Sequence, residues 1–400
     1  MRDAPALQSA RGHMAPLDGL RGLAILMVMA FHFAWVAPPR GLPAKLFVFL
    51  GSFGWAGVDL FFVLSGFLIT GILLDSKPGP SYFRNFYARR VLRIFPLYYG
   101  VLLVTLVVLP RLISYDTPEL KALLAAQGWL WLYSANVSVA IEHGRWVWNA
   151  DWLRLGMLWS LAVEEHFYLV WPLLVFVSSR KAMLRASVAI IVALPLLRAA
   201  MWAGGVAPDT IYCLSIFRVD ALAFGGLLAL VVRDPALYTR VRPLATRVGG
   251  LGLLIVLGLT ARARWFTHLA EPVQVVGFSA LAMLFGSVLL AAVSAPPTSL
   301  LRRALTRREL VFCGKYSYGA YMLHELLRPA LVRAFPPAVF ERVTGSELAG
   351  FCLHALCGTA ATFALAVASF ELFERRFLGL KRFFEYRPAP TTTPAVPSES

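Results

Sequence analysis

Ten runs of mostly apolar residues, each near the length needed to cross a bilayer, dominate this 400-residue chain and leave few architectures open to it. A hydrocarbon core ~30 Å thick takes about 20 helical residues to span. The runs lie at 17-37, 47-74, 93-112, 155-177, 184-203, 213-232, 248-262, 273-293, 311-333 and 348-372, the seventh being short. Inside lipid the backbone has no water to bond, so each run must satisfy its own polar groups as a helix. An all-α polytopic membrane protein of about ten transmembrane helices follows. Its membrane domain is 17-374, between a short segment at 1-16 and a basic, then Pro/Ser/Thr-rich tail at 375-400 that is expected to end in disorder. Composition fits a chain whose main partner is the lipid bilayer: 58% hydrophobic and 15% charged residues, with mean hydropathy +0.67.

Orientation follows from Lys and Arg, which are retained on the cytoplasmic side. With both termini cytoplasmic, the inner segments hold 23 of the 38 basic residues. The long outer connection 113-154 contains the mildly hydrophobic stretch KALLAAQGWLWLYSANVSVA. A further crossing there would put the basic connections RKAMLR and RDPALYTRVR outside, so a partial, re-entrant or interfacial helix is expected instead. The net charge of +16 then reads as a topology signal and an attraction to anionic headgroups, with no nucleic-acid partner. Cys213, Cys313, Cys352 and Cys357 show no metal or disulfide spacing, and no metal is expected. The first run lacks a small-residue cleavage site and reads as a retained helix.

Chemistry must come from ionisable residues inside the runs, which are costly in hydrocarbon and demand partners or a water-filled cavity. In LDGLRGLAILMVMAFHF, Arg21 and His32 are eleven apart; they share a helix face and lie roughly 16 Å apart along it. Asp18 falls on the same face. Alternatively, Arg21 snorkels to headgroups and His32 packs in the core. Asp59 interrupts GWAGVDLFFVLSGFLITGILL, where Gly57, Ser65 and Gly66 allow close helix approach; it either faces a site or meets water at the outer boundary. Arg90 and Arg93, three apart near the inner boundary, suit either a phosphorylated ligand or lipid anchoring. MLWSLAVEEHFYLVWPLL places Ser160 and Glu164 on one face, with Glu165 and His166 splayed round it. This is not a nucleophilic triad. Arg218 with Asp220, and a mid-membrane His324 with Glu325, complete the set.

The ordered motifs LDGLRGLAIL with MAFHF, GWAGVDLFFVLSGFLITGILL, YARRVLRIFPLYY, LWSLAVEEHFYLVWP, FRVDALAFGGLLA, YSYGAYMLHELL and FELFERRF span nearly the whole chain. As a set they resemble the acyltransferase-3 family of integral membrane acyltransferases. The resemblance implies an O-acyltransferase that moves an acyl group, acetyl above others, from cytosolic acyl-CoA to a hydroxyl of a cell-surface or lipid-linked carbohydrate, exopolysaccharide included. It also implies a bacterial inner membrane. The family's Arg-x10-His pairing falls on Arg21 and His32, which become catalytic, with His32 either general base or transient acyl carrier. Its Arg-x-x-Arg falls on Arg90 and Arg93, which would hold coenzyme A phosphates. Asp18, Asp59, Glu164, Glu165 and His324 are then expected to bind the acceptor sugar or orient the imidazole. The paired-glutamate motif commonly continues with Gln where this chain has His166. No esterase-like domain follows the last run, so transfer is expected to finish within the membrane unit or on a separate glycan-export partner. The oligomeric state is left open.

A transporter of lipid-linked sugars or small acids is the competing class, with the same residues as relay or substrate groups. No inverted repeat or pair of broken helices favours it. A scaffold or sensor explains the helices but not the ordered polar motifs.

Overall fold

The computed structural model describes residues 14–77, 79–112, 117–150, 152–263 and 265–385. Eight helical segments are long and apolar enough to cross a membrane: Ala15–Ala34, Leu42–Ser76, Tyr82–Leu112, Leu158–Val177, Arg180–Ala203, Pro235–Ala263, Val273–Ser294 and Glu347–Phe384. The other two predicted spans fall on shorter helices. Residues 213-232 contract to Val219–Val232, and 311-333 breaks at Tyr316 into Arg308–Lys315 and Ser317–Ala334. The second span starts earlier than its apolar run, at Leu42, and the short seventh begins at Pro235. In the seventh, the basic stretch expected as a connection continues the helix. Among the described residues there is no strand, only an isolated bridge between Asn149 and Arg154.

We label the helices that position the site α1 (Ala15–Ala34), α2 (Leu42–Ser52), α3 (Gly57–Ser76), α4 (Tyr82–Leu102), α5 (Leu158–Val177), α6 (Arg180–Ala203), α7 (Val219–Val232), α8 (Ser317–Ala334) and α9 (Glu347–Ser369). Pro16 in the first turn of α1, where its missing N–H costs nothing, starts that helix.

The outer connection is decisive for topology. The stretch weighed as an additional crossing breaks into helices Pro118–Ala126, Gly128–Trp131 and Ala135–Ile141, of 9, 4 and 7 residues. None can span a bilayer. Helix directions agree. Along α3 and α5, Ser65 meets Tyr168 at 2.6 Å, Thr70 meets Trp171 at 2.8 Å, and Lys77 caps the Val175 and Ser178 carbonyls. Contacts that advance together on both helices mean that they run parallel. Helix α4 runs antiparallel to α5, since Tyr82 reaches the Pro172 carbonyl and the later Tyr87 reaches Leu169. One crossing between α4 and α5 would have reversed both relations.

The tightest packing joins α3 to α7, again in parallel. A Cβ at Gly66 would lie 1.9 Å from the Leu222 carbonyl oxygen, and one at Gly225 would lie 2.0 Å from that of Val63. These reciprocal notches let the two backbones touch, as small residues do between membrane helices. Gly57 does the same against α1, where its Cβ would stand 2.4 Å from the Ala24 carbonyl oxygen. After α9 the chain does not become a tail at once. Arg375–Gly379 and Leu380–Phe384 continue as short helical turns packed on α4. Most of 1-16, and the Pro/Ser/Thr-rich end from 386, lie outside the described residues.

Overpacking such a notch costs ~1–3 kcal/mol, so Gly225→Val should lower the thermal unfolding midpoint in detergent by several degrees. Gly250→Ala, with nothing within 4 Å of its added Cβ, should match wild type. An unchanged midpoint for Gly225→Val would contradict the α3–α7 contact.

Candidate active site

A cavity of about 110 Å³ opens between α1, α3, α4, α5 and α8, and its polar lining includes Arg21, Arg90, Arg93, Ser65, Ser160, Glu164, Tyr168 and Tyr321. Helix periodicity accounts for the convergence: Arg90 and Arg93 are one turn apart on α4, and Ser160, Glu164 and Tyr168 repeat every four residues on α5. Within the cavity the Tyr168 hydroxyl donates to Glu164 at 3.0 Å and shares a 2.6 Å bond with Ser65. Arg90 lies over the rings of Phe86 and Tyr168, each centroid 5.9 Å away. Neither Arg90 nor Arg93 has a hydrogen bond or ion pair with any described residue. Arg21 reaches Asp18 at 3.5 Å.

One helical turn beyond the cavity on α8 sits a second polar group. The His32 Nδ1–H donates to the Val28 carbonyl at 2.9 Å. Because a carbonyl can only accept, this bond fixes the tautomer and leaves Nε2 with the lone pair. Glu325 Oε1 lies 3.7 Å from that Nε2, and Arg328 approaches the same oxygen at 3.3 Å. Arg328 also donates to the Trp35 carbonyl, tying α8 to the end of α1. The His324 ring packs edge-on against His32 with centroids 4.6 Å apart. Its Nδ1–H donates to the Tyr321 carbonyl at 2.6 Å, while its buried Nε2 has no partner among the described residues. His268, in the loop after Arg264, is pushed down to about 3 by burial, with the charges of Arg218 and His32 acting the same way. It is neutral at pH 7.

Tyr321 separates the two regions. It lines the cavity, its hydroxyl bonds Ser160 at 2.5 Å and donates to the Met157 carbonyl, and its ring touches His324. His32, His324 and Glu325 offer ligand atoms within 4.8 Å of one another, the geometry in which a metal ion could be considered. Arg328 already supplies Glu325 with a cation.

The remaining predicted site residues are placed as follows. Asp59 does not line the cavity: its carboxylate accepts from Arg218 at 2.7 Å, both side chains 1% exposed. The guanidinium of Arg218 stacks 3.8 Å from the Phe278 centroid. Next to it, Arg198 of α6 pairs with Asp220 at 2.8 Å. Glu165 points round α5 from Glu164, into the electrostatic reach of Tyr98, Tyr99 and Tyr133. His166 Nδ1 bonds the Ser215 hydroxyl at 2.7 Å. Thus Arg21, Arg90, Arg93 and Glu164 share one cavity, with Asp18 behind Arg21. His32 and His324 share the second group, and Asp59 and Glu165 join neither. Sequence reading named Glu325 only as the neighbour of His324 and passed over Arg328, Tyr168 and Tyr321 as site residues. Tyr321, Glu325 and Arg328 recur at helical spacing on the His32-facing side of α8, a signal readable only once that face is known.

Residues 15–371 match a family model described as an acyltransferase domain. The chain is similar to the peptidoglycan O-acetyltransferase OatA of Listeria monocytogenes, 29% identical over 391 residues, 91% of this chain and 56% of that protein. The putative peptidoglycan O-acetyltransferase YrhL of Bacillus subtilis is 30% identical, covering 80% of this chain and 49% of the relative. The O-acetyltransferase OatA of Staphylococcus aureus is 27% identical, covering 78% and 50%. The chain therefore spans about half the length of these curated relatives. No solved structure matches it.

Removing one member of a buried ion pair leaves an uncompensated charge, at a cost of ~3–5 kcal/mol. Asp59→Ala should therefore reduce the yield of folded protein and its thermal midpoint. Asp59→Ala combined with Arg218→Met should recover much of that loss. If Asp59→Ala instead keeps wild-type stability and loses only acceptor affinity, Asp59 acts on substrate.

Proposed function

The chain belongs to the acyltransferase-3 family of membrane acyltransferases, and from that premise we propose that it moves an acyl group, acetyl above others, from acyl-CoA to a hydroxyl of a cell-envelope carbohydrate. That it is an O-acyltransferase enzyme follows from the family and its relatives and removes the transporter reading. The observation that carries the donor assignment is the convergence of Arg21, Arg90 and Arg93 from two helices on one cavity, with no carboxylate among the described residues in ion-pair contact with Arg90 or Arg93. Guanidiniums left open in this way suit phosphate oxyanions, which they bind in paired charge-assisted bonds. We place this cavity on the cytosolic side of a bacterial cytoplasmic membrane, where acyl-CoA is available. The polysaccharide class is drawn from the relatives' names: a peptidoglycan or a related envelope glycan on the far side.

In this reading the phosphates stay with the arginines while the pantetheine arm runs along α1 and α8 past Tyr321, so that the thioester meets His32. The acceptor hydroxyl approaches from the opposite side. Nε2 of His32 takes its proton as the oxygen attacks the thioester carbonyl; the C–O bond forms, the C–S bond breaks, and the proton passes to the leaving thiolate. The Val28 carbonyl keeps Nε2 available, and Glu325, beside that nitrogen, favours the transient imidazolium. Arg328 holds Glu325 in place. Glu164, hydrogen-bonded by Tyr168, shapes the donor cavity and not the acceptor contacts.

His32→Ala should lower kcat by roughly 10²–10⁴-fold, as loss of a general base does, with thermal stability kept. Ordinary turnover by this variant would sink the assignment. Arg93→Ala should raise KM for acetyl-CoA about tenfold or more, the loss expected for a hydrogen bond to a charged group. An unchanged donor KM would remove Arg93 from phosphate binding.

A further inference from the structure

The turn that follows the last membrane helix packs on α4, the helix that carries Arg90 and Arg93. Residues 380–385 are clasped to α4 by three of its side chains. Arg89 donates to the Lys381 and Phe384 carbonyls at 3.2 and 3.3 Å, Asn85 donates to the Glu385 carbonyl at 2.9 Å, and Arg84 lies over the Phe384 ring. These bonds use backbone carbonyls and a ring, so they fix where the Lys381 side chain sits without engaging its ammonium. That ammonium is half-buried within electrostatic reach of Arg93, Arg90, Arg89 and Arg21. Among the described residues it has no hydrogen bond or ion pair.

Like charges held together in a partly dehydrated place repel one another, and an anion bound among Arg90, Arg93 and Lys381 would relieve that repulsion. Among the described residues, Glu165 lies within electrostatic reach of Arg90, and three further carboxylates border the cluster. Asp18 reaches Arg21, Glu164 takes the Tyr168 hydroxyl, and Glu374 takes the Ser369 hydroxyl. None lies within ion-pair distance of Arg90, Arg93 or Lys381. Planar guanidiniums from α4 and a compact ammonium from the turn packed on it are groups that suit a phosphate with several free oxygens.

We propose that Lys381, presented by the clasped C-terminal turn, completes with Arg90 and Arg93 a binding site for the phosphate groups of a nucleotide-bearing donor. The inference rests on the acyl-CoA reading given above and adds the chain end as part of the donor site. The same chemistry would hold the phosphate of an anionic lipid headgroup.

The test is calorimetric binding of adenosine 3′,5′-bisphosphate to the full-length protein in phosphatidylcholine nanodiscs, read without turnover. Lys381→Gln should weaken binding about tenfold or more and Lys381→Arg should restore most of it. Arg376→Gln, an exposed cation of the same segment, should stay within about twofold of wild type, which separates a site from a general charge effect. Equal affinity for Lys381→Gln and wild type, or no binding by wild type, overturns the proposal. If Lys381→Gln keeps its bisphosphate affinity but loses phosphatidylglycerol retained through purification, the phosphate belongs to lipid and the donor role falls. If bisphosphate binding depends on Lys381 in a protein that consumes no thioester, this site stands and the acyltransfer reading fails instead.

Discussion

The ion pair between Asp59 and Arg218, 2.7 Å long and closed from solvent, marks the end of the contact between α3 and α7. A second pair, Asp75 with Arg233, closes the other end with two parallel bonds of 2.9 and 2.7 Å. Between them, glycine notches bring the backbones together, and the register of the two helices is fixed by charge at both ends and by shape in the middle. Isolated charges in a low-dielectric interior are expensive, and pairing with good geometry offsets that cost. Arg198 and Asp220 repeat the device where α6 meets α7. This framework holds α3 in place, and α3 forms one wall of the cavity.

Against that paired framework, the unpaired charges stand out. Arg90 and Arg93 line the cavity with Lys381 in their electrostatic reach, and none of the three pairs with a carboxylate among the described residues, while His32 has its tautomer set by a backbone carbonyl and a carboxylate beside its free nitrogen. Charges that complete the fold are neutralised within it. Those left open are suited to an external ligand that would supply the counterpart. Tyr321 connects the two regions physically, bonding Ser160 on the cavity side and touching His324 on the other. A donor with a charged head and a long uncharged arm matches this layout, because its two ends need the two different environments.

Much of this was legible before any coordinates. The apolar runs gave the helices, and the charge bias gave the rejection of a crossing in 113-154, which the parallel α3–α5 and antiparallel α4–α5 contacts support. Helical spacing put Arg90 with Arg93 and Ser160 with Glu164. What stayed hidden was which faces meet. Asp59 reads as a polar residue in want of a ligand until Arg218, 159 positions away, is seen beside it. Glu325 reads as a neighbour of His324 until α1 and α8 are packed and it proves to face His32. The length of a span was also misread where tertiary burial overrides the usual requirement. Val219–Val232 is too short to stand alone in lipid, yet it is enclosed by neighbouring helices. The basic start of the 375-400 segment looked like a tail because the docking of residues 380–385 uses backbone carbonyls, which leave no trace in side-chain pattern.

The most direct measurement is the density of a bound donor, obtained by cryo-electron microscopy of the protein in nanodiscs with a non-reactive acetyl-CoA analogue whose sulfur is replaced by oxygen. The account predicts the nucleotide phosphates between Arg90, Arg93 and Lys381, with the arm passing Tyr321 and the acyl carbonyl within reach of His32 Nε2. Phosphates bound at the His32 end, or an arm leading away from Tyr321, would contradict it.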